Sequence, residues 1–251
     1  MRLFRRRSIR IVLIVALLLV SALVGALVYF GTPSGEVMPE ALAALESTAA
    51  VQVARGGWIT FMPVAQQPDA GFIFYPGGRV AAEAYAPLGR ALAQAGYLAV
   101  ITPMPMNLAI LNIDAAGAVI NTHPQIKRWV IGGHSLGGAM ASRYAHSNPQ
   151  QIAGLAILAA YPEAQIDFSQ RDLAVASIYG ELDGLATAAE IEASFSLLPA
   201  DAMTVRIAGG NHAQFGWYGE QAGDNPAQIS HQQQHEQVVQ AVRRLLETSG
   251  A

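Results

Sequence analysis

The sequence predicts an α/β architecture: a mostly parallel sheet with helices on both faces, preceded by one N-terminal transmembrane helix. Three observations predict it. Short apolar, strand-like runs recur from residue 51 to residue 207, helical runs separate most of them, and a charge-free stretch of twenty residues comes first. Strands alternating with helices bury both faces of a parallel sheet, and ligands of such sheets bind beyond the carboxyl ends of the strands.

Residues 1–10 are a basic segment whose only charges are Arg2, Arg5, Arg6, Arg7 and Arg10. Residues 11–30 contain no charge, and only Ser21, Gly25 and Tyr29 interrupt their aliphatic character. As a helix, twenty such residues span about 30 Å, the thickness of a hydrocarbon core. An uncleaved anchor is therefore expected, with a cleaved signal peptide ending near Val24-Gly25-Ala26 as its competitor. Both place the arginines in the cytoplasm and the rest of the chain outside it. Residues 31–49 read as a linker, opened by the proline and glycine of Thr32 to Gly35.

Beyond residue 30 there are ten basic and eighteen acidic side chains, and Lys127 is the only lysine. A domain of that sign carries no nucleic-acid footprint. The chain has no cysteine, which excludes disulfides, thiol nucleophiles and thiolate metal sites. Oligomeric state is left open.

Along residues 50–251, Val51 to Val53 and Trp58 to Phe61 form a hairpin broken by Gly56-Gly57. Phe72 to Tyr75 is a strand, Ala81 to Ala95 a helix stopped by Gly96, and Tyr97 to Ile101 a strand closed by prolines. Leu108 to Asn121 reads as a helix and Arg128 to Gly132 as a strand. Ala153 to Ala159 and Leu173 to Tyr179 are further strands. Ala188 to Leu197 is a helix opened by a Thr187/Glu190 capping box. Met203 to Ile207 is the last strand and Ile229 to Glu247 the last helix.

The strand at 128–132 runs into Gly133-His134-Ser135-Leu136-Gly137, a G-x-S-x-G pentapeptide followed by an alanine-rich helix. A strand reversing sharply into a helix leaves no room for side chains two positions either side of the serine. It also sets the hydroxyl at a helix N-terminus, where free amides favour a developing negative charge. Ser135 is the expected nucleophile.

A serine hydroxyl needs an imidazole to take its proton, and that imidazole needs a carboxylate. His212, after the last strand, is the expected base. Asp183 is preferred over Glu181 as the acid because it stands further along its loop and can curl back. The amide of Leu136 is one expected oxyanion donor. Gly78, after the strand at 72–75, is the other, with Arg79 next. Arg79 and His134 border the expected substrate pocket. Phe215 and Trp217, in the irregular stretch Gly209 to Gln228, are expected to supply an aromatic wall. His231 and His235, at i and i+4, lack the carboxylate a zinc site needs and read as helix surface, so no metal is expected.

Tyr75-Pro76-Gly77-Gly78, the pentapeptide at 133–137, Tyr179-Gly180-Glu181-Leu182-Asp183 and Gly210-Asn211-His212-Ala213-Gln214-Phe215-Gly216 together resemble the α/β-hydrolase superfamily. They are close to its dienelactone-hydrolase-like branch of small, lidless esterases. The resemblance covers residues 50 to 248. It implies the α/β-hydrolase fold for a catalytic domain at 50–251, and hydrolysis of a small-molecule carboxylic ester through an acyl-enzyme, without cofactor. Ser135 stands where dienelactone hydrolases proper use cysteine, and Pro76 where many relatives carry histidine. The competing readings are a binding protein that kept the fold and lost the chemistry, and an acyltransferase or peptidase with the same triad. Residues 160–172 are too few for a helical cap, so the expected site is shallow and suits short or compact acyl groups.

Overall fold

The eight strands are β1 (Val51–Arg55), β2 (Ile59–Pro63), β3 (Ala70–Tyr75), β4 (Leu98–Ile101), β5 (Arg128–His134), β6 (Gly154–Leu158), β7 (Ala174–Gly180) and β8 (Met203–Ile207). In this computed structural model, which describes residues 2–250 and side-chain surroundings from residue 12 onward, they form one sheet. The order is β1-β2-β4-β3-β5-β6-β7-β8. The β1–β2 hairpin is antiparallel, as is the β2–β4 pair, and all pairings from β4 to β8 are parallel.

Strand alternation sorts the core into two layers. Phe72 and Phe74 of β3 point to one face, where they meet Leu88 and Leu92 of α3 (Ala86–Gln94) and Val242, Leu245 and Leu246 of α7 (His231–Thr248). Ile73 and Tyr75 point to the other, among Val119 of α4 (Ala115–Thr122) and Met140 and Tyr144 of α5 (Leu136–Ser147). β3 is buried along its whole length. Each fully buried large aliphatic contributes about 1.5–3 kcal/mol, so both faces of the sheet are closed and only the strand ends stay open for chemistry.

Three helical expectations change in detail. The Ala188–Leu197 helix ends as a 3₁₀ turn at Ser194–Leu197. The Ala81–Ala95 helix begins as a 3₁₀ turn at Ala82–Tyr85 before α3. The Leu108–Asn121 helix is instead two 3₁₀ turns, Pro105–Asn107 and Ala109–Leu111, followed by α4. Met106 and Asn107 have φ of 53° and 55°, and Asn112 is again non-helical, so the helical path is interrupted twice before Ala115. The expected linker contains a short helix, α2 (Pro39–Ala43). The Thr187/Glu190 capping box forms at the start of α6 (Ala188–Ala193), and Ser230 with Gln233 forms a second at the start of α7.

The N-terminal helix α1 (Arg2–Gly31) contains one stretch, Val12–Gly31, long and apolar enough to cross a membrane. None of that stretch is buried against the rest of the protein. The β6–β7 connection carries no helix, consistent with the absence of room for a cap.

Candidate active site

Ser135 sits between β5 and α5 with φ 53° and ψ −123°. A left-handed φ at a residue with a side chain costs about 1–3 kcal/mol, and the surroundings impose it. A Cβ at Gly137 would collide with the carbonyl oxygens of Tyr75 and Pro76, and one at Gly133 with the backbone of Gly137. The two glycines let the turn close against β3. The Ser135 amide is spent on Leu158 O at 2.9 Å, which ties the turn to β6.

The expected acid and base, Asp183 and His212, stand after the ends of β7 and β8. His212 Nδ1 and Asp183 Oδ2 are 2.8 Å apart, and both side chains are almost wholly buried. The other oxygen of Asp183 accepts the amides of Leu185 (2.8 Å) and Ala186 (2.7 Å). Three bonds therefore fix the carboxylate's direction. Glu181 lies elsewhere: it bonds Arg206 at 3.1 Å and the Gly209 amide at 3.0 Å, joining the end of β7 to that of β8. His212 Nε2 is buried and has no hydrogen-bond partner among the described residues. The expected bond from the Ser135 hydroxyl to this nitrogen is not formed, and such bonds often close only around substrate.

The loop after β3 sorts its amides. Gly77 N–H donates to the Tyr85 hydroxyl at 3.0 Å, and Arg79 N–H to Asn107 O at 2.8 Å. Among the described residues, the amides of Gly78 and Leu136 donate to no protein group. A Cβ at Gly78 would stand 3.5 Å from Leu136 Cβ, so the two amide-bearing residues are neighbours. Leu136 is the first residue of α5, where helix geometry leaves its amide free.

His134 is fully buried beside this loop. Its Nδ1 lies 2.8 Å from the Tyr85 hydroxyl, and its ring stacks on Phe215 at 5.5 Å and meets His212 at 4.5 Å. Burial, reinforced by the neighbouring His212, holds its basicity well below the ordinary imidazole range. Burial likewise raises the Tyr85 hydroxyl, which keeps its proton.

The remaining expected residues have other partners. The Arg79 guanidinium lies 3.8 Å over the Tyr29 ring and donates to Thr32 O at 3.3 Å. Phe215 is buried behind His134. Trp217 stacks on His231 at 4.4 Å and meets His235 edge-on at 5.8 Å. It thus lines a groove of about 1000 Å³ between α3 and α7 that contains none of Ser135, Asp183 and His212. His231 and His235 are half-buried around that indole and not open helix surface.

Three residues outside the expected set hold the site together. Tyr85 joins Gly77 to His134. Asp224 accepts the amides of Gly184 (3.0 Å) and Ala213 (2.8 Å), clasping the acid loop to the histidine loop. Gln234 of α7, wholly buried, brackets Asn211 with bonds to its amide and carbonyl. Only the run of glutamines at 232–234, unusual before a buried helix face, hinted at Gln234. Among the described residues, no group of three or more metal-ligating side chains converges.

Residues 71–236 match the model of the Alpha/beta hydrolase family. Several solved structures share the fold at low identity. Est1E from Butyrivibrio proteoclasticus, solved with ferulic acid bound, is 12% identical with a TM-score of 0.60, covering 80% of this chain and 98% of that one. The esterase domain of a Rhodothermus marinus protein is 14% identical with a TM-score of 0.57, covering 75% and 91%. A predicted CIB-like hydrolase from Thermoplasma acidophilum is 14% identical with a TM-score of 0.57, covering 78% and 99%. A comparison with curated protein sequences finds no match. With two-thirds of its length under the family model, this chain belongs to the alpha/beta hydrolase family and is a hydrolase.

Proposed function

We propose that the protein is a serine hydrolase that cleaves carboxylic esters of small or compact acyl groups through an acyl-enzyme on Ser135. The observation that carries this reading is the strained Ser135 at the start of α5, at the same carboxyl end of the sheet as a buried Asp183–His212 pair. His212 Nε2 takes the hydroxyl proton while Ser135 Oγ bonds to the carbonyl carbon. The carbonyl oxygen becomes an oxyanion held by the amides of Gly78 and Leu136. As the intermediate collapses, the ester C–O bond breaks and His212 returns the proton to the leaving alcohol. Water then repeats the sequence and frees the acid. Asp183 holds the tautomer of His212 and stabilises its charge. No step calls for a cofactor.

The capless β6–β7 connection supports placement near the dienelactone-hydrolase-like, lidless esterases. A shallow site buries little acyl chain, and each further methylene would add only about 0.8 kcal/mol. The values of kcat/KM for p-nitrophenyl esters should therefore peak at short chains, without a jump above the substrate's solubility limit. A maximum at palmitate would overturn the acyl preference. Failure of Ser135 to react with a fluorophosphonate probe would overturn the mechanism.

The exposed, charge-free and strongly apolar stretch Val12–Gly31 supports an uncleaved single-pass anchor, with the domain on the extracytoplasmic side of the cell membrane. Full-length protein should resist carbonate extraction from membranes. A soluble product beginning near Leu27 would instead mark a cleaved signal.

A further inference from the structure

The end of α1 is bound to the loop that follows the oxyanion glycines. Asn107 Nδ2 donates to Gly31 O at 3.2 Å, and Asn107 O accepts the Arg79 amide. Arg79 O accepts the Ser34 amide at 2.7 Å, while its guanidinium covers Tyr29 and reaches Thr32 O. Three of the chain's left-handed residues with side chains, Arg79, Met106 and Asn107, lie in this junction. The segment beyond it is unusual on its surface. Ile110 and Leu111 are 50% and 53% exposed. Outside α1 they are the only consecutive pair of exposed large apolar residues among those described. Leu108, just before them, brings a methyl group to 4.0 Å from where a Cβ on Gly78 would stand.

We infer that the ridge from Met106 to Leu111 rests on the lipid surface that α1 crosses, so that the mouth of the active site opens at the level of the headgroups. This rests on the anchored reading of α1 given above. The span ends at Gly31, preceded by Tyr29 and Phe30, and aromatic residues of that kind settle at the membrane–water boundary. Asn107 is bonded to that boundary residue. Four residues of chain reach at most about 13 Å from it, and the headgroup layer is about 5–8 Å deep. Ile110 and Leu111 are therefore within reach of lipid, and an apolar pair beside an anchor gains by inserting there.

The absence of cysteine allows a direct test in the full-length chain. Single variants Ile110→Cys, Leu111→Cys, Val20→Cys and Asp201→Cys are labelled with an environment-sensitive fluorophore and reconstituted in phosphatidylcholine vesicles. Nitroxide lipids, carrying the quencher near the headgroup or at mid-chain, are then introduced. Asp201 is exposed just before β8, at the opposite end of the sheet. The labels at 110 and 111 are expected to lose most of their emission to the headgroup nitroxide, and the label at 20 to the mid-chain one. The label at 201 should stay bright. Because 110 and 111 are both exposed, either label alone carries the test. If 20 is quenched while 110 and 111 match 201, the docking surface is wrong and the anchor stands. If 20 is not quenched, the anchored reading fails and the docking surface with it.

Discussion

Two clusters of imidazoles lie against aromatic rings in this protein, and they differ in what their ring nitrogens bond. His134 and His212 meet at 4.5 Å beside Phe215, at the carboxyl ends of β5 and β8. His231 and His235 flank Trp217 on one face of α7. Burial lowers the basicity of His134, His231 and His235 alike. The difference lies in the partners. His212 has a buried carboxylate at 2.8 Å and a free Nε2, whereas His231 spends its Nε2 on Gly216 O at 2.8 Å. Burial and proximity make a packed histidine. A carboxylate on one nitrogen and an open position on the other make a base.

The largest effect that could break this contrast is on turnover. His212→Ala should lower kcat by about 10⁵–10⁶-fold, as loss of the base does in a serine triad, with the protein still folded. His235→Gln should leave kcat/KM at the parent value. Comparable losses in both variants would mean that the α7 cluster belongs to the active site.

Next in size is the acid. Asp183→Asn keeps the shape of the loop but removes the charge that orients His212, so kcat should fall about 10⁴-fold. Glu181→Gln should change kcat by less than about tenfold, since Glu181 bonds Arg206 and Gly209 and not His212. Stopped assays of both variants with one short-chain ester settle the order. The reverse ranking would assign the acid to Glu181.

The strand-to-helix turn at Ser135, the alternation of strands with helices and the place of His212 after the last strand were legible because each is written locally. Gly133 and Gly137 are there because a Cβ at either would strike backbone, and His212 follows the last strand-like run directly. What was not legible depends on side chains far apart in sequence. Tyr85 reads as one aromatic in an alanine-rich helix, and nothing near it names Gly77 or His134 as its partners. Trp217 looked like pocket lining because it sits five residues after His212. The chain turns there, its amide bonding Ala84 O at 2.8 Å, and the indole goes to α7. Aromatic content could be read from the sequence, but the direction of the loop could not.

Tyr85 offers a smaller, sharper test. Its hydroxyl serves two buried groups, so Tyr85→Phe leaves the Gly77 amide and His134 Nδ1 without their shared partner. An unsatisfied buried polar group costs about 1–3 kcal/mol, which should appear as a lower Tm. The loop that presents the Gly78 amide also loosens, so kcat should fall about tenfold with KM little changed, equivalent to about 1.4 kcal/mol of oxyanion stabilisation. A change confined to Tm would make Tyr85 structural only.

The smallest effect is on stability and belongs to the α7 cluster alone. Burial, with a contribution from His231, pushes His235 down to about 4 from the ordinary 6.5. Above pH 6.5 neither the folded nor the unfolded chain protonates this ring, so it does not affect stability there. Between pH 6.5 and about 4 the unfolded chain binds the proton and the folded one refuses it, so stability falls as pH falls. From pH 6.5 to 5, before most carboxylates titrate, this one ring should cost about 2 kcal/mol. His134 and His231 are shifted in the same direction and add to the slope. His235→Gln should therefore flatten, without abolishing, the decline of unfolding free energy between pH 7 and 5. Urea titrations of the detergent-solubilised full chain at several pH values measure it. An unchanged slope would show that His235 is solvated in solution, and the indole would then pack on His231 alone.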